Sequence, residues 1–388
     1  MDDLTPEQLK LQARAGEVAA EFRDRVASWD AADRAPYAEV AARMRDAGLI
    51  GLTMPKEAGG QDLTAFEYLL VVEALFRSGQ HWVLAEPTFA TSGPGPSIIM
   101  MSPSDVVRQR FLPDLVTGAR QCAIALTEPG HGSDLTSLET VAVPDGDGFR
   151  LRGAKNFVTG ATENDLYAVF VRFGDIPGAA GIGAVVLEAG MDGLAVERGP
   201  EFMGLRGIPH GDLTIDDVHV PPENVVVGAG DFARLMTAFN MERLHNTAFQ
   251  LGMAEAAWDA AASYVESRHA FGRPIIEFQT VYHALTDLHI EIEAARLLAY
   301  RAGRTAIEGK FPRFAEVTMA KLFASTVAPK VTLKALELHG GYGVTTQYGV
   351  ERIHRDVVSG VVAGGSPPIL RNGIATQLFP NQRFRQTR

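Results

Sequence analysis

The sequence predicts an α+β protein of several domains: an N-terminal α-helical domain over 1–120, a central antiparallel β domain (barrel or sandwich) over 121–230, and a C-terminal four-helix bundle over 231–388. Three observations carry this reading. Apolar residues recur at helical spacing up to about residue 120. Short runs rich in β-branched and aromatic residues, separated by turn residues, follow to about 230. Helical spacing then returns for the rest of the chain, in four long patterns with short connections.

The helical start opens on Thr5-Pro6-Glu7-Gln8, a capping box with proline at the first helical position. Helical patterns follow at about 37–47, 64–77 and 104–117, punctuated by Pro55, Gly59-Gly60 and Gly93-Pro94-Gly95-Pro96. Nothing in this region points to chemistry beyond packing. Strand-like runs fall at 121–128, 137–143, 149–159, 166–173, 182–188 and 212–220. Asp145-Gly146-Asp147-Gly148 reads as a hairpin turn between two of them; no acidic ligand set follows that would make it a calcium loop. That spacing suits a sandwich or barrel.

From Asp231 a single long helix is expected to run to residue 267, capped by Asp231 and stopped by Gly272 and Pro274. Phe249, Met253, Ala257, Ala261 and Val265 make one apolar stripe along it. Near its start stand Glu242 and Arg243, which by pattern alone read as a solvated charge pair. Further helices are expected at about 278–307, at about 314–337 with a possible kink at Pro329, and from about 367.

A net charge of −11 argues against nucleic acid and anionic membrane surfaces as main partners. One cysteine, Cys122, excludes an internal disulfide and fits a reducing compartment. The N-terminal residues are polar and acidic rather than signal-like, and no apolar run reaches membrane-spanning length, so a cytoplasmic location is expected. His283 and His289 lie six residues apart on one predicted helix, off any shared face, and no other histidine pair has ligand spacing, so no metal site is expected.

The remaining candidates are glycine-rich and polar runs. Leu126-Thr127-Glu128-Pro129-Gly130-His131-Gly132-Ser133-Asp134 closes the first strand, where glycines let main-chain N–H groups approach a ligand. Gly153-Ala154-Lys155-Asn156-Phe157-Val158-Thr159-Gly160 places an aromatic ring and a hydroxyl two residues apart, on one side of a strand, where they can wall a flat ring. Arg268-His269-Ala270-Phe271-Gly272 is followed by Gln279, eleven residues past the arginine. The runs His339-Gly340-Gly341-Tyr342-Gly343, Arg352-Ile353-His354-Arg355-Asp356 and Gly364-Gly365-Ser366 come last.

In this order and at these spacings, the four motifs resemble the acyl-CoA dehydrogenase family. The resemblance spans nearly the whole chain and includes Gly48-Leu49-Ile50-Gly51-Leu52 and Pro55-Lys56-Glu57-Ala58-Gly59-Gly60. It implies FAD, bound between the β domain and the C-terminal bundle. Leu126, Thr127, Gly132 and Ser133 match positions holding the flavin ring and pyrophosphate, and Ser133 also lies on the substrate side. Phe157 and Thr159 match the ring-flanking strand, where many relatives have tryptophan in place of Phe157. Arg268, Phe271 and Gln279, with Glu337, Leu338, Gly340 and Gly341, match residues that reach a neighbouring subunit's FAD; Ser366 matches a position near the cofactor. Relatives often have glutamine in place of Glu337, and a carboxylate near pyrophosphate is unfavourable, so Glu337 is expected to point away or pair with a cation. A site completed across an interface implies a homotetramer or at least a homodimer.

The implied reaction removes hydrogens from the α and β carbons of an acyl-CoA thioester, with an electron-transfer flavoprotein as acceptor. Here the sequence departs from the commonest family pattern. Most relatives carry the catalytic glutamate nine residues after the start of the Arg-Asp pair; counted from Arg355 in Arg355-Asp356, the site falls at Gly364. A smaller branch, including isovaleryl-CoA and long-chain enzymes, carries it on the bundle helix before an arginine, which is Glu242 before Arg243 here. Glu242 is thereby implied as the α-proton base, with Arg243 near the CoA part of the substrate or paired structurally. Side chains one residue apart on a helix diverge by about 100°, which opposes a Glu242–Arg243 pair. Gly364 keeps a main-chain N–H that can polarise the thioester carbonyl, a contribution of ~2.7–4 kcal/mol per donor in comparable oxyanion sites. Other flavin chemistry (oxidase, desulfinase-like, or action on a carrier-protein thioester) stays open because of His131 and Pro367-Pro368, as does a non-catalytic flavin-binding subunit of a hetero-oligomer.

Overall fold

A computed structural model of the protein describes residues 4–306, 310–382 and 384. The chain opens with helices α1 (Pro6–Ala20), α2 (Val26–Ala32), α3 (Tyr37–Asp46), α4 (Ala65–Gly79), α5 (Glu86–Ser92), α6 (Pro94–Met100) and α7 (Asp105–Thr117). The predicted capping box closes α1: Gln8 N–H donates to Thr5 Oγ1 at 3.2 Å and Thr5 N–H to Gln8 Oε1 at 3.1 Å. α5 and α6 were not expected. Pro87 and Pro94 sit in their first turns, where proline is tolerated, so residues that read as loop punctuation start helices instead.

Strands β1 (Cys122–Ala125), β2 (Val141–Asp145), β3 (Gly148–Val158), β4 (Leu166–Phe173), β5 (Ile182–Glu188), β6 (Leu194–Arg198), β7 (Gly211–Val220) and β8 (Val225–Val227) form one sheet. Its order is β6-β7-β3-β2-β4-β5-β8, with β1 joined to β4 off that path. The hairpin between β2 and β3 turns at Gly146 with φ +64°, as its sequence predicts. Two features depart from the expectation. The strands β6 and β8 are added, and the sheet is mostly antiparallel rather than wholly so. β1 and β2 both run parallel to β4, occupying successive stretches of one edge. The chain keeps its direction between them instead of reversing, so residues 126–140 leave the sheet as a long excursion. That excursion carries the glycine-rich run.

Alternation along β4 divides the core. Leu166, Ala168 and Phe170 pack with the helices, while Tyr167, Val169 and Val171 fill the interior of the β domain.

After the sheet come α8 (Phe232–Ala238), α9 (Asn240–Ser267), the small hairpin β9 (His269–Ala270) and β10 (Arg273–Pro274), then α10 (Gln279–Arg304), α11 (Phe314–His339), α12 (Val350–Gly360) and α13 (Pro367–Leu378). The single helix expected over 231–267 is two helices that meet at Phe239, and the Asp231 carboxylate bonds Arg234 rather than capping main-chain N–H groups. Three helices of the C-terminal domain are long, and the shorter α12, which had read as loop, packs on α9 and α11 as the fourth. α11 continues through Pro329.

The stripe from Phe249 to Val265 is buried as expected. More informative is the first half of α9, where every residue from Asn240 to Ala254 is buried, polar ones included. α4, α10, α11 and α12 surround it. Gly252 sets the approach of α9 to α4: a Cβ there would lie 2.5 Å from the Glu73 carbonyl oxygen and 2.8 Å from Phe76 Cβ. Gly252→Ala is therefore expected to push the two helices apart and cost about 1–3 kcal/mol, read as a lowered midpoint in chemical denaturation.

Candidate active site

The Glu242–Arg243 pair is not the solvated one its pattern suggests. Both side chains are buried at the start of α9, and they do not pair with each other. Arg243 Nη1 donates to Asn240 Oδ1 at 2.7 Å, and its guanidinium lies 5.2 Å from the ring centres of both Phe239 and Phe314. Asn240 is fixed in turn by its Nδ2, which donates to the Pro312 carbonyl at 3.0 Å. Burial lowers the Arg243 pKa to about 10, against the pull of Glu242. The helical divergence anticipated from sequence is the geometry found.

Glu242 Oε1 accepts a hydrogen bond from Asn246 Nδ2 at 2.8 Å, one turn along α9, while Oε2 is buried with no partner. Burial raises this carboxyl to about pH 7; the Asn246 hydrogen bond and the charges of Lys321 and Arg243 hold it from going higher. Lys321, buried on α11, donates to the carbonyls of Val361 and Gly365 and so pins the loop that follows α12. Gly364 lies in that loop with φ +68°, a left-handed value that glycine adopts without strain. A Cβ at Gly364 would sit 3.3 Å from Asn246 Nδ2 and 3.4 Å from Glu242 Cγ. Gly364 thus backs directly onto Glu242, and its buried N–H has no acceptor among the described residues. Ser366, half-buried, makes no capping bond at the start of α13.

The glycine-rich excursion is anchored to β3 by a buried ion pair. Lys155 Nζ lies 2.7 Å from Glu128 Oε1 and donates to the Leu126 carbonyl at 3.2 Å, while Glu128 also accepts from the Glu139 and Thr140 N–H groups. Burial by itself would raise the Glu128 carboxyl, yet Lys155 and these hydrogen bonds hold it below the usual range. Asn156 N–H donates to the Thr127 carbonyl at 2.8 Å, closing the join. Beyond it, Gly132 and Ser133 are exposed, and a Cβ on Gly132 would meet nothing within 4 Å.

Phe157 and Thr159 are not neighbours on one face of a regular strand. β3 ends at Val158, its register with β7 shifts between Lys155 and Val158, and Phe157 takes φ +58°. Asp212 holds this turn, accepting from Phe157 N–H at 3.0 Å and Asn156 Nδ2 at 2.9 Å. The Phe157 ring is left 53% exposed. A non-glycine residue in the left-handed region with its aromatic ring in the open is a strained arrangement.

The remaining predicted positions form a separate group. Arg268 ends α9, about 39 Å along the helix from Glu242. With Leu338, Gly340 and Gly341 it lines a cleft of about 390 Å³. Phe271, 95% exposed, tips the β9–β10 hairpin, and Gln279 begins α10 beside His283. Glu337 pairs with Lys334 at 2.5 Å, the cation partner expected for it.

Sequence reasoning assigned no chemistry to the N-terminal helices, yet Tyr68 on α4 and Glu86 on α5 are buried within electrostatic reach of Glu242. Tyr68 Oη lies 2.8 Å from His245 Nδ1, and burial first and Glu242 second raise the Glu86 carboxyl to about pH 8, partly offset by the Trp82 hydrogen bond. Asn246 was readable as the i+4 partner of Glu242; Glu86 had no sequence signal.

An exposed glycine run fastened to the strand that carries an exposed ring, and a buried carboxyl on α9, are the features expected of a flavin-dependent oxidoreductase. Family models for the N-terminal, middle and C-terminal domains of acyl-CoA dehydrogenase match residues 5–119, 123–218 and 230–379. The chain belongs to the acyl-CoA dehydrogenase family and is an FAD-binding flavoprotein. It is 34% identical to a 3-sulfinopropanoyl-CoA desulfinase of Paraburkholderia xenovorans, over all of both chains. It is 33% identical to a subunit of the caffeyl-CoA reductase-Etf complex of Acetobacterium woodii, covering 82% of this chain and 83% of that one. Butyryl-CoA dehydrogenase of Megasphaera elsdenii has the same fold, with a TM-score of 0.92 and 29% identity over 98% of this chain and 100% of that one.

The buried carboxyl has a stability consequence. With its pKa near 7 in the fold and 4.5 as the unperturbed value, Glu242 holds a proton in the folded state that the unfolded chain has lost between those pH values. Its contribution therefore falls as pH rises toward 7, by on the order of 3 kcal/mol. Glu242→Gln is expected to melt above the parent protein at pH 8, with the gap closing toward pH 5 in thermal denaturation.

Proposed function

We propose that the protein dehydrogenates an acyl-CoA thioester between its α and β carbons, with Glu242 as the base. The observation that carries this reading is the unpartnered, buried Glu242 Oε2, whose pKa near 7 suits a general base at neutral pH, set against the free N–H of Gly364. Glu242 Oε2 takes the α proton. The Gly364 N–H stabilises the negative charge that develops on the thioester oxygen. Bound FAD supplies the acceptor for the hydride leaving the β carbon. Arg243, held by Asn240 and two rings, stands beside the base as a fixed positive charge for the CoA portion of the substrate.

Leu126, Thr127, Gly132, Ser133, Phe157 and Thr159 would hold the flavin from this chain. Arg268, Phe271, Gln279, Leu338, Gly340 and Gly341 would complete the site of a second copy, because Arg268, at the end of α9, is about 39 Å along the helix from Glu242 and lines one cleft with Leu338, Gly340 and Gly341. A homodimer or homotetramer follows, and an electron-transfer flavoprotein is the acceptor this reading favours, supported by the Acetobacterium relative's place in an Etf complex.

A second reading draws on the Paraburkholderia relative: cleavage of the C–S bond of a 3-sulfinopropanoyl thioester, in which the carbon left behind takes a proton and water converts the released sulfur dioxide to sulfite. The two separate cleanly. Under dehydrogenation, the FAD-loaded protein mixed anaerobically with straight and branched acyl-CoAs loses its flavin absorbance, and Glu242→Gln slows this at least 100-fold. The rate is expected to rise with pH through about 7, because the base must be unprotonated. Sulfite release from 3-sulfinopropanoyl-CoA, with no bleaching by any simple acyl-CoA, would overturn it.

A further inference from the structure

A second buried carboxyl stands within electrostatic reach of Glu242, and the mechanism above leaves it unused. Glu86, at the start of α5, is completely buried. Its Oε2 accepts from Trp82 Nε1 at 2.8 Å, and no cation pairs with it among the described residues. Its Oε1 has no partner and lies 2.8 Å from where a Cβ on Gly160 would be, just past Thr159 at the end of β3. The amide Nδ2 of Asn164, also unpartnered, borders the same spot. Glu86 therefore borders the strand end assigned to the flavin and, through Trp82 and His245, packs against the segment of α9 that carries Glu242.

The space around it is closed by rings. One helical turn beyond Glu242, the His245 ring packs 4.6 Å from Phe89 and 5.0 Å from Trp82. Phe249, a further turn on, lies 5.0 Å from Trp82 and 4.8 Å from Phe76. Trp82, Phe89 and His245 are all buried and wall this side of Glu86. Within this wall, His245 Nε2 is another buried polar atom with no partner. Burial keeps His245 neutral, and burial first with Glu242 second favours the neutral form of Glu86. Buried polar atoms left unpaired cost about 1–3 kcal/mol each, and a bound group that satisfies them recovers this.

We propose that Glu86 is the specificity-determining residue of the acyl pocket, selecting an acyl group that ends in an uncharged hydrogen-bonding group such as a hydroxyl. This rests on the thioester reading above. A carboxyl held neutral donates from O–H and accepts at its carbonyl oxygen, so it matches a hydroxyl and rejects a methyl of the same size.

The test compares 4-hydroxybutanoyl-CoA with pentanoyl-CoA, which differ by OH in place of CH3, in anaerobic flavin bleaching by the FAD-loaded protein. The hydroxylated thioester is expected to have kcat/KM higher by roughly tenfold or more. Glu86→Leu is expected to bring that ratio to one or below, and Glu86→Gln, which keeps a donor and an acceptor, to preserve most of it. A purely structural role would lower both substrates together and leave the ratio intact, which would overturn the proposal. Equal or faster reduction by pentanoyl-CoA in the parent protein overturns it without any variant, while leaving the dehydrogenase reading standing. Bleaching by neither thioester, nor by any other acyl-CoA, would sink both readings together.

Discussion

The structure depends on the burial of the first half of α9 from all sides. A helix enclosed by α4, α10, α11 and α12 has no solvent face on which to place polar residues. Asn240, Glu242, Arg243, His245 and Asn246 must each find a partner inside or stay unsatisfied. Most find one: Arg243 on Asn240, Asn246 on Glu242, His245 on Tyr68. What stays unsatisfied is confined to a few atoms, and they lie where the chemistry is placed. Close packing at Gly252 keeps α4 against this segment, so the N-terminal helices contribute to the site as well as covering it.

Electrostatics around Glu242 follow from the same burial. Two carboxyls, Glu242 and Glu86, lie in the interior without a direct cation partner, and both are pushed toward the neutral form. Lys321 stands near enough to moderate Glu242, but its hydrogen bonds go to the Val361 and Gly365 carbonyls. A direct salt bridge would have depressed the carboxyl and made a weak base. In contrast, Glu128 has its cation at 2.7 Å and serves to fasten a loop.

Much of the fold was readable from sequence because its signals are local. The Thr5 capping box, the Gly146 turn and the stripe from Phe249 to Val265 each depend on a few adjacent residues. α12 carried a readable stripe of Val350, Ile353 and Val357, hidden by the charged residues between them. The parallel placement of β1 and β2 was not readable, since it depends on pairing with β4, which comes later in the chain. In the site, Glu242 stood out only through family resemblance; its periodicity suggested a solvated pair. Glu86 was illegible because its meaning comes from Trp82, Gly160 and Glu242, which no spacing rule connects. The break at Phe157 was missed for a similar reason: Asp212, from β7, holds it.

The contact between Gly364 and Glu242 bears on how such a site can change over time. The loop position and the helix position lie far apart in the sequence, yet their atoms are near neighbours. A side chain at position 364 would start 3.4 Å from Glu242 Cγ, and the left-handed backbone there favours glycine while the helix carries the carboxyl. Relocating a base between two such positions leaves the surrounding walls, the cofactor cradle and the helix packing where they were. Two substitutions on facing backbones can therefore exchange the origin of a proton acceptor without redrawing the pocket around it.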